Sequence, residues 1–211
     1  MDKIPHTSAQ ERLFKQLEIG KDKFDFSPFD IYQHVDETQR NSFFENQEEE
    51  LINVKQDLIG SLRSAELEIL IFSGNISWSN LIQNNKPLIE VFEELAEKNV
   101  SIKFLANVDL NSQENIVKMN SINDRICKDR VEVRHCMQPL RAFIVDNKFV
   151  KFKEINDPSL RGKTCGKKTY IFYEIFDEHW VDWMRKVFWN YFRSSIPAKK
   201  RIENLKTLQK L

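Results

Sequence analysis

Glycine is scarce in this chain, and so are several other signals that name a function quickly. Five glycines in 211 residues leave no Gly-rich phosphate cradle and no flexible linker. Three cysteines, Cys127, Cys136 and Cys165, form an odd and scattered set with no Cys-x-x-Cys spacing and no histidine pair beside them. That argues against a disulfide framework and a zinc site, and it fits a reducing compartment. Neither a metal nor an organic cofactor is called for. No apolar run approaches the roughly 20 residues that span a bilayer. The opening Met1-Asp-Lys-Ile-Pro-His6 lacks the apolar stretch of a signal peptide, so the expected location is the cytoplasm. Net charge is missing as well: 32 bases offset 32 acids, so no global field draws the chain to nucleic acid. No internal repeat is visible.

What is present is a 41% hydrophobic, 30% charged composition, enough for the core of one domain with appendages. The neutral total hides a gradient. Residues 1–50 carry twelve acids against six bases, whereas residues 185–211 carry eight bases against Glu203 alone. We expect an acidic, aromatic-containing arm over 1–45, an α/β domain over 46–195 and a basic tail helix over 196–211. In the arm, Ser8 to Leu17 can form a short helix. Phe24 to Tyr32 is too aromatic for disorder and too interrupted for a regular element, which suits a segment lying on the domain or across a partner subunit.

Ser42-Phe-Phe-Glu45 reads as a capping box opening a long helix through Leu51, Val54, Leu58, Leu62 and Ala65. Leu67 to Phe72 is nearly all apolar, the pattern of a strand covered on both faces. Pro87 starts a helix with the stripe Leu88, Val91, Phe92 and Leu95. Val100 to Phe104 alternates as a strand, and Ser112 caps a helix through Ile116, Met119 and Ile122. Val131 and Val133 alternate with Glu132 and Arg134 as a half-buried strand. Ala142 to Val145 and Phe149 to Phe152 flank the turn residues Asp146-Asn147 as a hairpin. A strand around Thr169 to Tyr173 and an aromatic helix from about Asp177 to Phe192 follow. Strands alternating with helices and then clustering predict a layered α/β fold, a mixed sheet flanked by helices.

The stretch from His135 to Asp146 resembles the signature of the phospholipase D superfamily, His-x-Lys-x-x-x-x-Asp, and the likeness covers roughly Glu48 to Arg193. Asp146 matches the family Asp, Arg141 stands at the Lys position, and Pro139 holds the place of the nucleophilic His. The resemblance implies one half of a phospholipase D-type fold. It also implies lost covalent chemistry, since proline offers no nucleophilic lone pair. A guanidinium at the Lys position keeps its charge and planar donor fork. A similar loss marks the effector-binding domain of archaeal transcription regulators of the TrmB type, although no winged helix is legible in residues 1–45. A DNA-binding protein acting in trans is therefore a further expected partner. Family halves pair about a dyad, so a single hairpin implies a homodimer.

The candidate ligand residues are Arg141, His135, Asp146, Asn75, Trp78 and Lys163, around a small polar or anionic ligand. Arg141 either grips an anion or pairs with Glu132 or Asp146; Asp146 alternatively closes its turn. His135 is a pocket member or a reassigned nucleophile of a phosphodiesterase. Asn75 and Trp78 follow the first apolar strand, where α/β sheets gather ligands, unless the indole is simply tucked in. Lys163 belongs to the basic run Arg161 to Lys168, which replaces the family's Gly-Ser-x-Asn segment. Lys199, Lys200 and Arg201 could touch nucleic acid, or sit on a solvated helix docked through Ile202, Leu205 and Leu208. The aromatic helix is core, with width to spare for another subunit.

Overall fold

The computed structural model describes residues 8–46, 58–83, 85–156 and 169–208. The readings for Leu51, Val54, Lys163 and the basic loop around it lie outside these residues.

Helix α1 (Ser8–Ile19) sets Leu13 and Leu17 one turn apart, and both are buried. The aromatic segment does contain a regular element, the single turn α2 (Phe29–Tyr32) over the buried Ile31. Arg40–Asn46 is a strand, β1, which corrects the capping-box reading of Ser42 to Glu45. The side chain of Asn41 takes the Ser42 amide at 2.9 Å, and Phe43 stacks on Phe172 of the neighbouring strand at 5.1 Å. Cross-strand aromatic packing thus overrides the local helix-start signal. Helix α3 (Leu58–Arg63) and strand β2 (Glu68–Phe72) follow, then a two-residue ribbon, β3 (Ile82–Gln83) with β4 (Lys86–Pro87). Helix α4 (Leu88–Glu97) buries the expected Leu88, Val91, Phe92 and Leu95. Strand β5 (Ser101–Ala106) precedes helix α5 (Gln113–Ile126), which buries Ile116, Met119 and Ile122. Ser112 stands at its N-cap position but bonds back to Asp109 instead of to the helix.

Strands β6 (Val131–His135), β7 (Ala142–Val145), β8 (Phe149–Asn156) and β9 (Thr169–Ile175) complete the hairpin region. Helix α6 (Glu178–Ser194) is capped by the Asp177 carboxylate, which accepts from the Trp180 N–H at 3.0 Å. The short β10 (Ile196–Pro197) and helix α7 (Ala198–Leu208) end the described chain.

One eight-stranded mixed sheet results, in the order β1-β9-β8-β7-β2-β5-β6-β10. Strands β2, β5 and β6 run parallel, and the remaining neighbours pair antiparallel. Strand β2 is apolar because both its faces are covered: Leu70 and Phe72 join one core cluster, Ile69 and Ile71 the other. The first cluster holds α6 and the N-terminal segment, with Leu13, Leu17, Phe26, Ile31 and Val35 packed in the same core as Trp180 and Trp183. The spare width of the aromatic helix is therefore taken up by the chain's own arm. The second cluster holds α3, α4 and α5. Strand β10 pairs with His135 and Arg134, bringing Ala198 into the core and Ile202 against it, whereas Leu208 is exposed. The docking expected of Leu208 is thus corrected; α7 is held by its first turns only. Among the described residues no helix is long and apolar enough to cross a membrane.

Candidate functional site

The link between β6 and β7 carries the residues that the motif singles out, and one buried glutamine fixes its path. Gln138 donates from Nε2 to the Ser73 carbonyl at 3.1 Å and accepts the Leu140 N–H on Oε1 at 2.6 Å. The link is thereby tied to the end of β2. Pro139 and Leu140 are both buried. A Cβ placed on Gly20 would lie 3.0 Å from Pro139 Cγ and 3.3 Å from Asp25 Cβ. The turn after α1 therefore closes directly over Pro139, and a side chain on Gly20 would need the proline ring or Asp25 to give way. Asp25 organises that turn by accepting the N–H groups of Lys21 and Asp22, each at 2.8 Å.

Arg141 emerges from this link at the C-terminal end of β2. A Cβ on Gly74 would lie 3.0 Å from its Nη2, 3.2 Å from Nε and 3.3 Å from Cζ, so the guanidinium lies across the glycine backbone. Nη1 donates to the Leu140 carbonyl at 2.7 Å. Among the described residues no carboxylate comes within the 4.0 Å of an ion pair. Burial lowers the Arg141 pKa, and the more distant Asp22 pulls it back up; a guanidinium stays charged throughout.

The two pairings expected for Arg141 are not formed. Glu132 is shared by Lys103 at 3.1 Å and Arg134 at 2.7 Å. Asp146 sits at the far end of β7, roughly 17 Å away at the rise of a strand. Its carboxylate accepts the N–H groups of Glu66, Leu67 and Glu68 at 3.0, 2.9 and 2.8 Å, and Lys148 approaches to 3.3 Å. The structure thus separates Asp146 from Arg141.

His135 is also drawn elsewhere. Its Nδ1 accepts the Val108 N–H at 3.0 Å, so that nitrogen carries no proton. Burial first, and Arg201 second, hold its pKa below the ordinary histidine value against the pull of Asp109. Its charged neighbours are Arg201 of the tail helix and Asp109; no hydrogen bond joins it to Arg141 among the described residues. The Cys136 thiol is pushed up to about 11 by burial, opposed weakly by Lys21, which leaves it protonated. Asn75 is exposed and accepts the Ser77 N–H at 3.2 Å. Trp78 is tucked in: Nε1 donates to Ser73 Oγ at 3.0 Å, and the ring packs on Phe92 and Phe104 at 5.7 and 6.4 Å. Lys199 and Lys200 are exposed, while Arg201 turns inward with its Nε buried.

Sequence reasoning missed Gly20, Gly74, Gln138 and Asp22. The two glycines carried a usable signal, since in a chain with only five of them a glycine just after a helix or a strand marks a crowded backbone. Asp22 carried none, because only the folded arm brings it near Arg141.

No sequence-family model matches the chain, and no curated protein sequence matches it. Solved structures do match. NucT from Helicobacter pylori superposes with a TM-score of 0.51 at 12% identity, over 75% of this chain and 99% of that one. TrmBL2, an archaeal chromatin protein, superposes with a TM-score of 0.50 at 17% identity, over 78% of this chain and 56% of that one. Nuc from Salmonella typhimurium, described as a phospholipase D family member, gives 0.49 at 11% identity over 75% of this chain and 98% of that one. The fold is phospholipase D-like.

Proposed function

We propose that this phospholipase D-like fold serves a sensing or regulatory role without chemistry, holding a small anionic ligand at Arg141. The observation that carries the reading is Arg141 itself: a half-buried guanidinium with no acid in contact among the described residues, beside a buried proline where the resemblance expects a nucleophile. Taking an unpaired cation out of water costs several kcal/mol by simple solvation arguments, and a bound phosphate or carboxylate offsets that cost through charge-assisted hydrogen bonds. Nη2 and Nε remain for such a ligand. The Gly74 backbone lies against the fork, and Asp22 acts on it only through space. Two described neighbours argue against a replacement nucleophile: Cys136 is held as a thiol, and His135 has Nδ1 occupied by the Val108 N–H. We place this domain in the cytoplasm, as a homodimer.

Calorimetric titration of the intact protein with inorganic phosphate, glucose 6-phosphate and AMP tests the reading. Wild type is expected to bind at least one of them, with Arg141→Ala weaker by about tenfold or more, the loss of one or two charge-assisted bonds. Gly74→Val pushes the fork aside while leaving the fold intact, because the crowded atoms end a flexible side chain; it too should weaken binding. An Arg141→Ala protein that binds as well as wild type contradicts the proposal. Hydrolysis of bis-p-nitrophenyl phosphate should not exceed the buffer rate, and turnover lost in His135→Ala would restore the enzymatic reading.

A second reading draws on one observation. TrmBL2 shows a novel mode of DNA binding, and Lys199 and Lys200 stand exposed on α7 here. Affinity for DNA falling steeply with salt would favour a nucleic-acid module.

A further inference from the structure

The α6 side of strands β5 and β6 carries a second basic site that shares no residue with the Arg141 site. There the last turns of α6 cross the sheet and leave a concavity of about 500 Å³ lined by Lys103, Glu132, Arg134, Trp189, Phe192 and Arg193. That is the size of a small-ligand site.

Its charges are unequal, and two of its cations are held in place. Lys103 and Glu132 face each other across the paired strands, and Glu132 also takes the Nε of Arg134. One carboxylate thus serves two cations. Arg134 is locked further: its guanidinium sits 4.6 Å over the Phe192 ring, and Nη1 donates to the Phe192 carbonyl at 3.1 Å. Arg193 adds an exposed guanidinium that pairs with no acid among the described residues. The lining therefore holds three cations against one carboxylate. Trp189, one helical turn before Arg193, supplies a partly exposed flat wall. Its indole is held by near-perpendicular contacts to Phe188 at 5.8 Å and Phe192 at 5.3 Å. A rigid aromatic wall beside excess positive charge selects a ligand that is flat at one end and anionic at the other.

We propose that this groove binds a nucleoside 5′-phosphate, with the base against Trp189 and the phosphate between Arg193 and Lys103. The two sources of that chemistry are a free mononucleotide and the 5′ end of a single strand.

Titration of the intact, ¹⁵N-labelled protein with AMP tests this, with the Trp189 indole N–H resonance as the site-specific readout. AMP should shift that resonance saturably and bind more tightly than inorganic phosphate or ribose 5-phosphate. Arg193→Gln should weaken AMP by about tenfold, the scale of one charge-assisted contact. The exposed position of Arg193 should leave the melting temperature unchanged. A 5′-phosphorylated tetranucleotide run in parallel assigns the source by whichever ligand binds more tightly, and either order supports the site. The proposal is overturned if ribose 5-phosphate matches AMP, or if Arg193→Gln binds AMP as well as wild type. A Trp189 resonance that never moves overturns it equally, and any AMP bound then sits elsewhere, at Arg141 for instance.

Discussion

Asp146 gives its two carboxylate oxygens to three successive backbone N–H groups, at the point where β2 begins, while its own backbone adopts a left-handed φ of 50°. Burial alone would raise its pKa; the three amides and Lys148 together outweigh burial and hold it below the ordinary carboxylate range. The folded-state pKa is thus depressed, so the stabilisation is fully present above the unfolded value near 3.9 and is lost as pH falls through the lower folded value. Asp146→Asn keeps the tolerance for positive φ but turns an amide NH₂ toward amide donors. Urea unfolding should show the variant about 2 kcal/mol less stable at pH 7, with the gap closing below about pH 4. A gap independent of pH would contradict this account of the carboxylate. The sequence marks Asp146 as a turn residue, which is half of its role. The other half is a contact with residues nearly eighty positions earlier in the chain, and no local pattern encodes which strand a turn will meet. Trp78 was legible only as an alternative, since the same Ser-Gly-Asn-Ile-Ser-Trp string serves a ligand loop or an indole packed on Phe92.

At the scale of elements, the N-terminal segment is part of the core and also the cover over Pro139. Leu17 is fully buried in the cluster that contains α6, and Gly20 at the end of the same helix touches the proline ring. Leu17→Ala should therefore cost about 2–5 kcal/mol. Tryptophan fluorescence, to which Trp180 and Trp183 of the shared cluster contribute, and far-ultraviolet dichroism should report the same lowered midpoint. A separate early transition of small amplitude would mean that the arm is a detachable appendage. Elements with a single strong period were legible: the three- and four-residue spacing in α4 and α5, and the unbroken apolar run of β2 that demands cover on both faces. Strand β1 was not. Ser42 and Glu45 offer cap chemistry at the right spacing, while the partner that makes Phe43 a strand residue, Phe172, lies far along the chain. Distant pairing decides such segments, and spacing cannot show it.

For the whole molecule, the arm no longer needs a partner subunit to cover it, yet the single hairpin still asks for a second copy if the site is to be two-sided. Light scattering across micromolar concentrations should give twice the chain mass, with Arg141 near its symmetry mate. Two guanidinium groups a few ångströms apart repel by about 1 kcal/mol or more even in water, so phosphate should strengthen the dimer. A monomeric mass at every concentration and phosphate level would remove the dyad and leave the anion site one-sided. The central claim is that an anion completes Arg141, and its most direct test is a crystal grown with tungstate in place of phosphate. An anomalous peak is expected within hydrogen-bonding reach of Arg141 Nη2 and Nε, over the Gly74 backbone. A well-ordered guanidinium with no peak beside it, or one paired to the Asp22 carboxylate instead, would contradict it.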